Sequence, residues 1–521
     1  LMSQRGDAKP LPFVEDTAVD PGRLAEYVQE FDRVVREHNT QAAYYGHASV
    51  GCLHIRPLVN LKAQEGVDKM VSIAEDICDL VIKYGGSLSG EHGDGIVRGV
   101  WNERLFGSQI YQAFREVKRA FDPDNILNPG KIIDCPPMTE NLRYGPSYKT
   151  LPFSTTLDFT ADFGYAGAVE MCNGMGACRK MDGTMCPSYM VTREEEHSTR
   201  GRANLLRAVL SGALPAKELT GHRLYQALDL CLECKGCKAE CPSAVDMAKL
   251  KYEFLSHYNQ ANGIPLRARL FASINTLSRM GSLLAPISNW ALRLPFGRTV
   301  QHKLLGIHRN RSLPPFARPT FPAWFRRHRP LGDGRAGTVV LFNDTFMNYN
   351  YPQVCMAAVE VLEMAGFRVV LANARCCGRP MISKGLLDKA RANARYNVDL
   401  LYQHVQQGAT IVGCEPSCLL TLRDEYPDLL RDDRSRKVAE NSLMIDEFLV
   451  RLQEKGALGL KFKDLKKQVL FHGHCHQKAL VGLAPSLKAL RLPPGYQVEE
   501  SGAGCCGMAG AFGYEKEHYD I

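Results

Sequence analysis

Apolar residues recur every three to four positions between Gly22 and His38 (Leu24, Tyr27, Val28, Phe31, Val34, Val35), the spacing of a helix with one buried face. Ahead of it Pro10 to Val19 reads as an extended piece, and behind it Ala42 to Val59 is strand-like. A second helical stretch runs from about Gly66 to Lys83 and stops at Gly85-Gly86, a helix C-terminal signal. Strand, helix and strand with polar punctuation predict a small α+β layer. A different rhythm begins near Gly337. Thr338 to Asn343 is a buried-type strand, Pro352 to Ala365 a helix and Phe367 to Ala372 another strand, which predicts a parallel α/β unit.

Between these regions the pattern is less regular. Cys135-Pro136-Pro137 to Leu151-Pro152 is a proline-marked linker, and 261–336 starts with helical apolar spacing before turning proline- and arginine-rich. At 521 residues the chain exceeds what one core serves. It divides into 1–135, 136–260, 261–336 and 337–521, a multidomain α+β and α/β protein. No apolar run reaches the length that spans a bilayer, since the nearest candidate, 268–292, is broken by Arg279 and Pro286.

Cysteine changes this picture most. Cys231, Cys234, Cys237 and Cys241 stand at spacings of three, three and four and are closed by Pro242, the run that wraps an iron–sulfur cubane with its last thiolate crossing to a second cluster. Upstream, Cys172 and Cys178 occupy the first and third positions of the same pattern, Met175 stands at the second, and Cys186-Pro187 closes it after an insertion. The crossing rule then groups Cys186 with Cys231, Cys234 and Cys237 as one four-cysteine site. Cys172, Cys178 and Cys241 remain for a site lacking one corner. That site is open to a three-iron cluster, a cubane with a non-cysteine ligand, or no cluster. Arg200-Gly201-Arg202 is expected to pack this unit.

Cysteines return as a repeat. Cys376-Cys377-Gly378 follows a strand, Cys414 and Cys418 come later, and a second round has Cys475 and then Cys505-Cys506-Gly507. Adjacent thiolates can bridge irons or bind another metal. Asp344 stands where the first round has its leading position, so that round is open to a structural reading, and Cys52, Cys78 and Cys355 fit no motif.

The first region carries another chemistry. His47 and His54, with Glu91 and His92 in Gly90-Glu91-His92-Gly93-Asp94-Gly95, supply nitrogen and oxygen donors for a divalent ion and one imidazole to move a proton. Seven residues along a strand put His47 and His54 on opposite faces unless Gly51 makes a turn, so a satisfied surface-histidine reading stays open. Arg56 could fork onto a substrate carboxylate or end a strand in solvent.

Charge excludes little. The net charge of +8 is modest and no nucleic-acid motif accompanies it. From Arg293 to Arg335 there are ten Lys and Arg against one acidic residue, Asp333, with Trp290 and Trp324 nearby. This is read as a solvated connector, with peripheral contact to an anionic membrane as the alternative. Eighteen cysteines behind a polar start imply reduced, metal-holding thiols in the cytoplasm, with any membrane association on its inner face. The leucine start and the cysteine motif close to the end mark the sequence as an internal piece of a longer polypeptide.

The histidine stretches together with Phe121-Asp122-Pro123-Asp124-Asn125-Ile126-Leu127-Asn128-Pro129-Gly130-Lys131 resemble the C-terminal cap of FAD-linked oxidases of the vanillyl-alcohol oxidase type, the branch that oxidises D-2-hydroxy acids. The resemblance implies His47, His54 and Glu91 as ligands of a metal, usually zinc, His92 as the base and Asn128 near the flavin. It further implies hydride transfer from the substrate carbon to flavin. Ala48 to Cys52 replace the glycine-rich spacer common in that family, as in the subgroup fused to iron–sulfur domains. No dinucleotide-binding glycine motif is present, so the FAD-binding domain is expected upstream. The cysteine repeat resembles the Cys-Cys-Gly domain shared by heterodisulfide reductase and the iron–sulfur subunits of glycolate and lactate oxidation.

Together these likenesses imply a flavin- and iron–sulfur-dependent dehydrogenase acting on D-2-hydroxyglutarate or D-lactate. Its expected cofactors are FAD, one 4Fe-4S cluster with a second uncertain, zinc, and a further cluster or metal at the Cys-Cys-Gly repeats. Its acceptor is left open among a quinone, a cytochrome and an electron-transfer protein, and its oligomeric state is not indicated. The alternatives are a thiol/disulfide-active reductase centred on the Cys-Cys-Gly repeats and a non-catalytic electron-transfer subunit.

Overall fold

The computed structural model describes residues 2–521, which part into two compact units, one ending at Thr150 and the other spanning Leu151–Ile521. Among the described residues no helix is long and apolar enough to cross a membrane.

The first unit has four strands, β1 (Lys9–Pro10), β2 (Thr17–Ala18), β3 (Ala42–His47) and β4 (Cys52–Val59). β4 is central. It pairs antiparallel with β3 along one edge, and with β1 and β2 at the two ends of the other. Helices Leu24–Glu37 and Gln64–Lys83 cover this layer. Their apolar stripes bury Tyr27, Phe31 and Val35, and Met70, Ile73 and Ile77, in one core with Ile55 and Val59. The stretch 42–59 is therefore two strands, not one. Ala48–Val50 makes a single 3-10 turn and Gly51 closes it in the left-handed region at φ +68°. His47 then pairs with Cys52, and Tyr45 with His54. Directly paired residues share a face, and so do residues two apart, so His47 and His54 lie on the same face of the sheet.

The second unit is built on a parallel sheet. β5 (Gly337–Leu341), β6 (Phe367–Leu371), β7 (Thr410–Gly413) and β8 (Ser442–Met444) line up in the order β6-β5-β7-β8. Both faces are covered, which is why these strands read as continuous apolar runs. Val339 and Leu341 point into one core with Cys355, Val359 and Leu362. Val340 points into another that runs through Leu206 and Phe254 of the preceding segment, so the cysteine-run segment and the first Cys-Cys-Gly repeat share one core. The second repeat contributes two parallel strands, β9 (Lys467–Phe471) and β10 (Tyr496–Glu500). Asp344, Cys376, Cys414, Cys475 and Cys505 follow β5, β6, β7, β9 and β10 in turn. All the repeat chemistry is thus carried at the carboxyl ends of parallel strands, where open α/β sheets hold ligands. The connector contains helices Leu266–Ala272, Ile274–Leu283, Ile287–Arg293, Pro295–Leu305 and Phe321–Phe325.

The turn at Gly51 leaves no room for a side chain. A Cβ there would lie 1.8 Å from the Val19 carbonyl oxygen, in addition to the strain of a positive φ. Gly51→Ala is expected to destabilise the first unit by about 2–3 kcal/mol. Urea denaturation of the altered and unaltered proteins would read this as a lower midpoint with an unchanged slope, and a shift under about 0.5 kcal/mol would mean that the turn relaxes freely.

Candidate functional site

In the first unit the hairpin brings His47 and His54 to the loop 90–95. Glu91 Oε1 is the focus. His54 Nε2 lies 3.1 Å from it, His47 Nε2 3.3 Å and His92 Nε2 3.6 Å. The His54 and His92 rings stack at 4.7 Å, and His47 meets His54 edge-on. His54 is buried, while His47, Glu91 and His92 open to solvent. His54 Nδ1 is buried without a hydrogen-bond partner among the described residues.

Two residues with no motif to announce them hold this cluster in place. Asp16, fully buried at φ +76°, accepts hydrogen bonds from the backbone N–H groups of Glu91 and His92 and from the Ser89 hydroxyl. Burial alone would raise its pKa, but these donors outweigh it and hold the carboxyl below its ordinary value. Glu15 joins two of the expected functional residues. Its Oε1 lies 3.2 Å from His92 Nδ1, and its Oε2 accepts from Arg56 Nε at 2.8 Å. Arg56 is thus committed at Nε, which leaves its two Nη groups for a carboxylate. An acidic pair inside the otherwise apolar run Phe13 to Val19 was the available signal for both residues.

The donor set fits a divalent metal: imidazole nitrogens and a carboxylate oxygen converge at hydrogen-bonding distance with no protein cation between them. A second grouping overlaps it, because Asp16, Cys52, His54 and Glu91 each bring a ligand atom within 4.8 Å of the others. Asp16 is occupied by its hydrogen bonds, including one from Cys52 Sγ at 3.4 Å. Burial and that carboxylate push the Cys52 thiol up to about 11. Asn128 sits apart in the exposed turn after helix Ser108–Phe121, with its Oδ1 accepting from Lys131 Nζ at 3.2 Å.

In the second unit a small cavity is walled by Cys186, Cys231, Cys234 and Cys237, the four thiols that the crossing rule groups. Arg202, Thr199 and Lys235 are among the other residues that line it. The loop that carries three of the cysteines takes left-handed backbone at Glu233 and Lys235, and Cys186 does the same at φ +56°. Cys241 lies outside this wall. Cys178 is hydrogen-bonded to Cys186, and that bond, with the Arg200 N–H, holds the Cys178 thiol low while Cys186 is raised. Cys172 is buried near Arg200, and Met175 is half exposed in the loop before Cys178. Arg202 packs as expected, buried and bonded to Ala227 O and Ser188 Oγ.

The repeats adjoin this cavity. In the first, Cys377 is hydrogen-bonded to both Cys376 and Cys418, while Cys414 meets Cys355, a residue that no motif marked. Asp344 is buried beside Glu415 and Cys418. Burial and the Glu415 charge raise its pKa, and its Oδ2 has no hydrogen-bond partner among the described residues. In the second, Cys505 is bonded to Cys475 and Cys506, and its thiol is pushed up to about 11. Cys505 is close enough to Cys234 to raise its pKa further, and His476 Nε2 lies 2.9 Å from Glu233 O inside the cavity loop. His474 Nε2 meets Ser417 Oγ of the first repeat at 3.2 Å.

A lattice of buried charge fixes these parts. Lys235, 2% exposed, pairs with Asp424 at 2.6 Å and with Glu425. Arg379, immediately after Cys-Cys-Gly, reaches Glu425 and Glu233, and Lys251 also reaches Glu233.

Comparison with known proteins agrees with this division. Residues 1–132 match the FAD linked oxidases, C-terminal domain; residues 168–245 match the 4Fe-4S dicluster domain; and residues 341–423 match the cysteine-rich domain. The chain therefore carries a domain of FAD-linked oxidases and an iron–sulfur domain. D-2-hydroxyglutarate dehydrogenase of Escherichia coli K12 is 30% identical over 570 aligned positions, which cover 100% of this chain and 55% of that protein. One subunit of the anaerobic glycerol-3-phosphate dehydrogenase of the same organism is 31% identical over 256 positions, 49% of this chain and 64% of the relative. D-lactate dehydrogenase of Archaeoglobus fulgidus is 37% identical over 133 positions, 25% of this chain and 29% of the relative. The chain spans about half the length of the full-chain relatives it matches.

Truncating Asp424 would leave Lys235 buried with one partner fewer. Asp424→Ala should cost about 3–5 kcal/mol in guanidinium denaturation, and the apolar pair Lys235→Met with Asp424→Leu should recover most of it. A loss below about 1 kcal/mol in the single variant would show that solvent reaches the ammonium.

Proposed function

We propose that this chain is the substrate-cap and electron-relay portion of a flavin- and iron–sulfur-dependent dehydrogenase that oxidises a D-2-hydroxy acid, with D-2-hydroxyglutarate the first candidate and D-lactate the second. The observation that carries the reading is the convergence of three imidazoles on Glu91 Oε1 beside the linked Arg56, Glu15 and His92.

The chemistry of each group follows from its hydrogen bonds. His47, His54 and Glu91 would hold the metal, since Asp16 is occupied with the loop backbone. Zinc bound there would supply a Lewis acid for the substrate hydroxyl, and FAD, held mainly by residues before this chain, the hydride acceptor. With Nδ1 donating to Glu15, His92 is fixed in the tautomer whose Nε2 lone pair faces the cluster and can take the hydroxyl proton. Glu15 then steadies the resulting imidazolium. The Nη groups of Arg56 would bind the substrate carboxylate as a fork. Asn128 in its exposed turn would face the flavin.

The thiols of the second unit would provide a path for single electrons. Cys186, Cys231, Cys234 and Cys237 would hold one 4Fe-4S cluster in the cavity they wall, an environment of soft donors and buried cations suited to it. Cys172, Cys178 and Cys241 would hold a second, with one ligand from outside cysteine or three irons. The bond between Cys178 and Cys186 supports a close approach of the two. Cys475, Cys505 and Cys506, next to Cys234, would carry the path outward, and Cys376, Cys377, Cys414 and Cys418 would form a further centre toward the acceptor.

Anaerobic D-2-hydroxyglutarate should bleach the flavin absorbance of the full-length protein. His92→Ala should slow that bleaching by about 10²–10⁴-fold while zinc content stays constant. Absence of bleaching with every 2-hydroxy acid tried, in protein that retains zinc and flavin, would sink the reading. For the relay, Cys186→Ala should remove about four irons per chain and matching acid-labile sulfide, whereas Cys241→Ala should spare them. Equal losses in the two variants would contradict this ligand grouping.

A further inference from the structure

We propose that the face presented by helices Ile274–Leu283, Ile287–Arg293 and Pro295–Leu305 is a docking surface for an anionic lipid bilayer. The inference stands independently of the reaction proposed above.

Large apolar side chains are exposed along these consecutive helices: Leu283 at 68%, Ile287 at 69%, Trp290 at 63%, Phe296 at 78% and Leu304 at 74%. Ile287 and Trp290 are three apart on one short helix, so they share a face. Scattered apolar residues on a soluble surface need no explanation, but this many on three successive elements leave an unpartnered patch. The helices are too short and too often interrupted to cross a bilayer, which limits them to lying in its interface.

The charge around the patch says what covers it. Between Glu253 and Asp333 there is no Asp or Glu, against twelve Lys and Arg. Arg293, Lys303, Arg309 and Arg318 are exposed, and none of them forms an ion pair among the described residues. Of the twelve, Arg267 is neutralised by Glu515 and Glu517 from the end of the chain, as Arg104 is by Glu75 and Asp79 in the first unit, so the four unpaired cations stand out. An acid-free stretch that exposes both large apolar side chains and unpaired cations complements an anionic headgroup layer above hydrocarbon. Lys and Arg near such a surface are attracted to it, and tryptophan favours the headgroup level. An acidic protein would satisfy the cations, but it would need a matching hollow for five protruding apolar groups, whereas lipid accommodates them without one.

The test uses the intact, cofactor-loaded protein sedimented with vesicles of phosphatidylcholine alone or mixed with phosphatidylglycerol. The protein should pellet with the anionic vesicles and partition at least about ten-fold less onto the neutral ones, with binding weakened by salt. Two variants separate the contributions: Ile287→Ser with Trp290→Ser and Phe296→Ser, and Arg293→Gln with Lys303→Gln and Arg309→Gln. Each should lower partition by about ten-fold or more while circular dichroism and iron content remain unchanged. The proposal is overturned if the unaltered protein stays in the supernatant, as it would if an acidic partner or another part of the polypeptide covered the face. Binding that neither variant alters would overturn it equally.

Discussion

The second unit depends on keeping the Lys235 ammonium and the Arg379 guanidinium charged in its interior. Lys235 lies between two cysteines of the cavity wall, and Arg379 lies just after Cys376-Cys377-Gly378. Taking such groups out of water costs several kcal/mol each, and only partners at close range recover it. Asp424 and Glu425 supply them for Lys235, and Glu425 and Glu233 for Arg379. Since Glu233 belongs to the cavity loop and Glu425 follows Cys418, the ion pairs can form only when the loop and the first repeat are seated together. Apolar burial, which is tolerant of small shifts, holds the two segments in one core, whereas the directional pairs fix their register.

The same lattice places fixed positive charge beside the thiols. Lys235 and Arg202 line the cavity, and Lys251 reaches both Glu233 and the Cys231 carbonyl. Any centre held by thiolates carries net negative charge, and buried cations favour its more reduced, more negative state. Burial opposes ionisation of Cys234 and Cys237, so with no cation nearby thiolates here would be costly. The arrangement would therefore serve the fold and the proposed electron-carrying chemistry through one set of residues.

Much of this was legible in the sequence, and the physical reasons for the gaps are specific. Helices such as Leu24–Glu37 and strands such as β5 and β6 announce themselves because their periodicity reflects which face is buried. The grouping of Cys186 with Cys231, Cys234 and Cys237 follows from a ligand rule, and the four thiols do wall one cavity. What periodicity cannot give is pairing. Ala42 to Val59 reads as one strand because the turn at Ala48–Gly51 contains a single glycine, and only the antiparallel register shows His47 and His54 on one face. Glu15 and Asp16 escaped for a related reason. Their roles are set by partners 36 to 77 residues away, and no local spacing encodes such a contact. Cys355 escaped because its partner, Cys414, arrives from another strand end.

These long-range contacts also explain how the first unit divides its labour. Asp16 spends its oxygens on the backbone of Glu91 and His92, so it positions the loop without competing for the site in front of it. Glu15 spends one oxygen on His92 and the other on Arg56, which links the expected proton acceptor to the expected carboxylate clamp through a single side chain. The orientation of the base and that of the clamp are then coupled. In the proposed reaction, a substrate carboxylate that drew Arg56 toward it would pull on Glu15, which in turn holds the His92 imidazole. Two adjacent acids, one serving backbone and one serving side chains, thus give the histidine cluster an orientation that the histidines alone could not maintain.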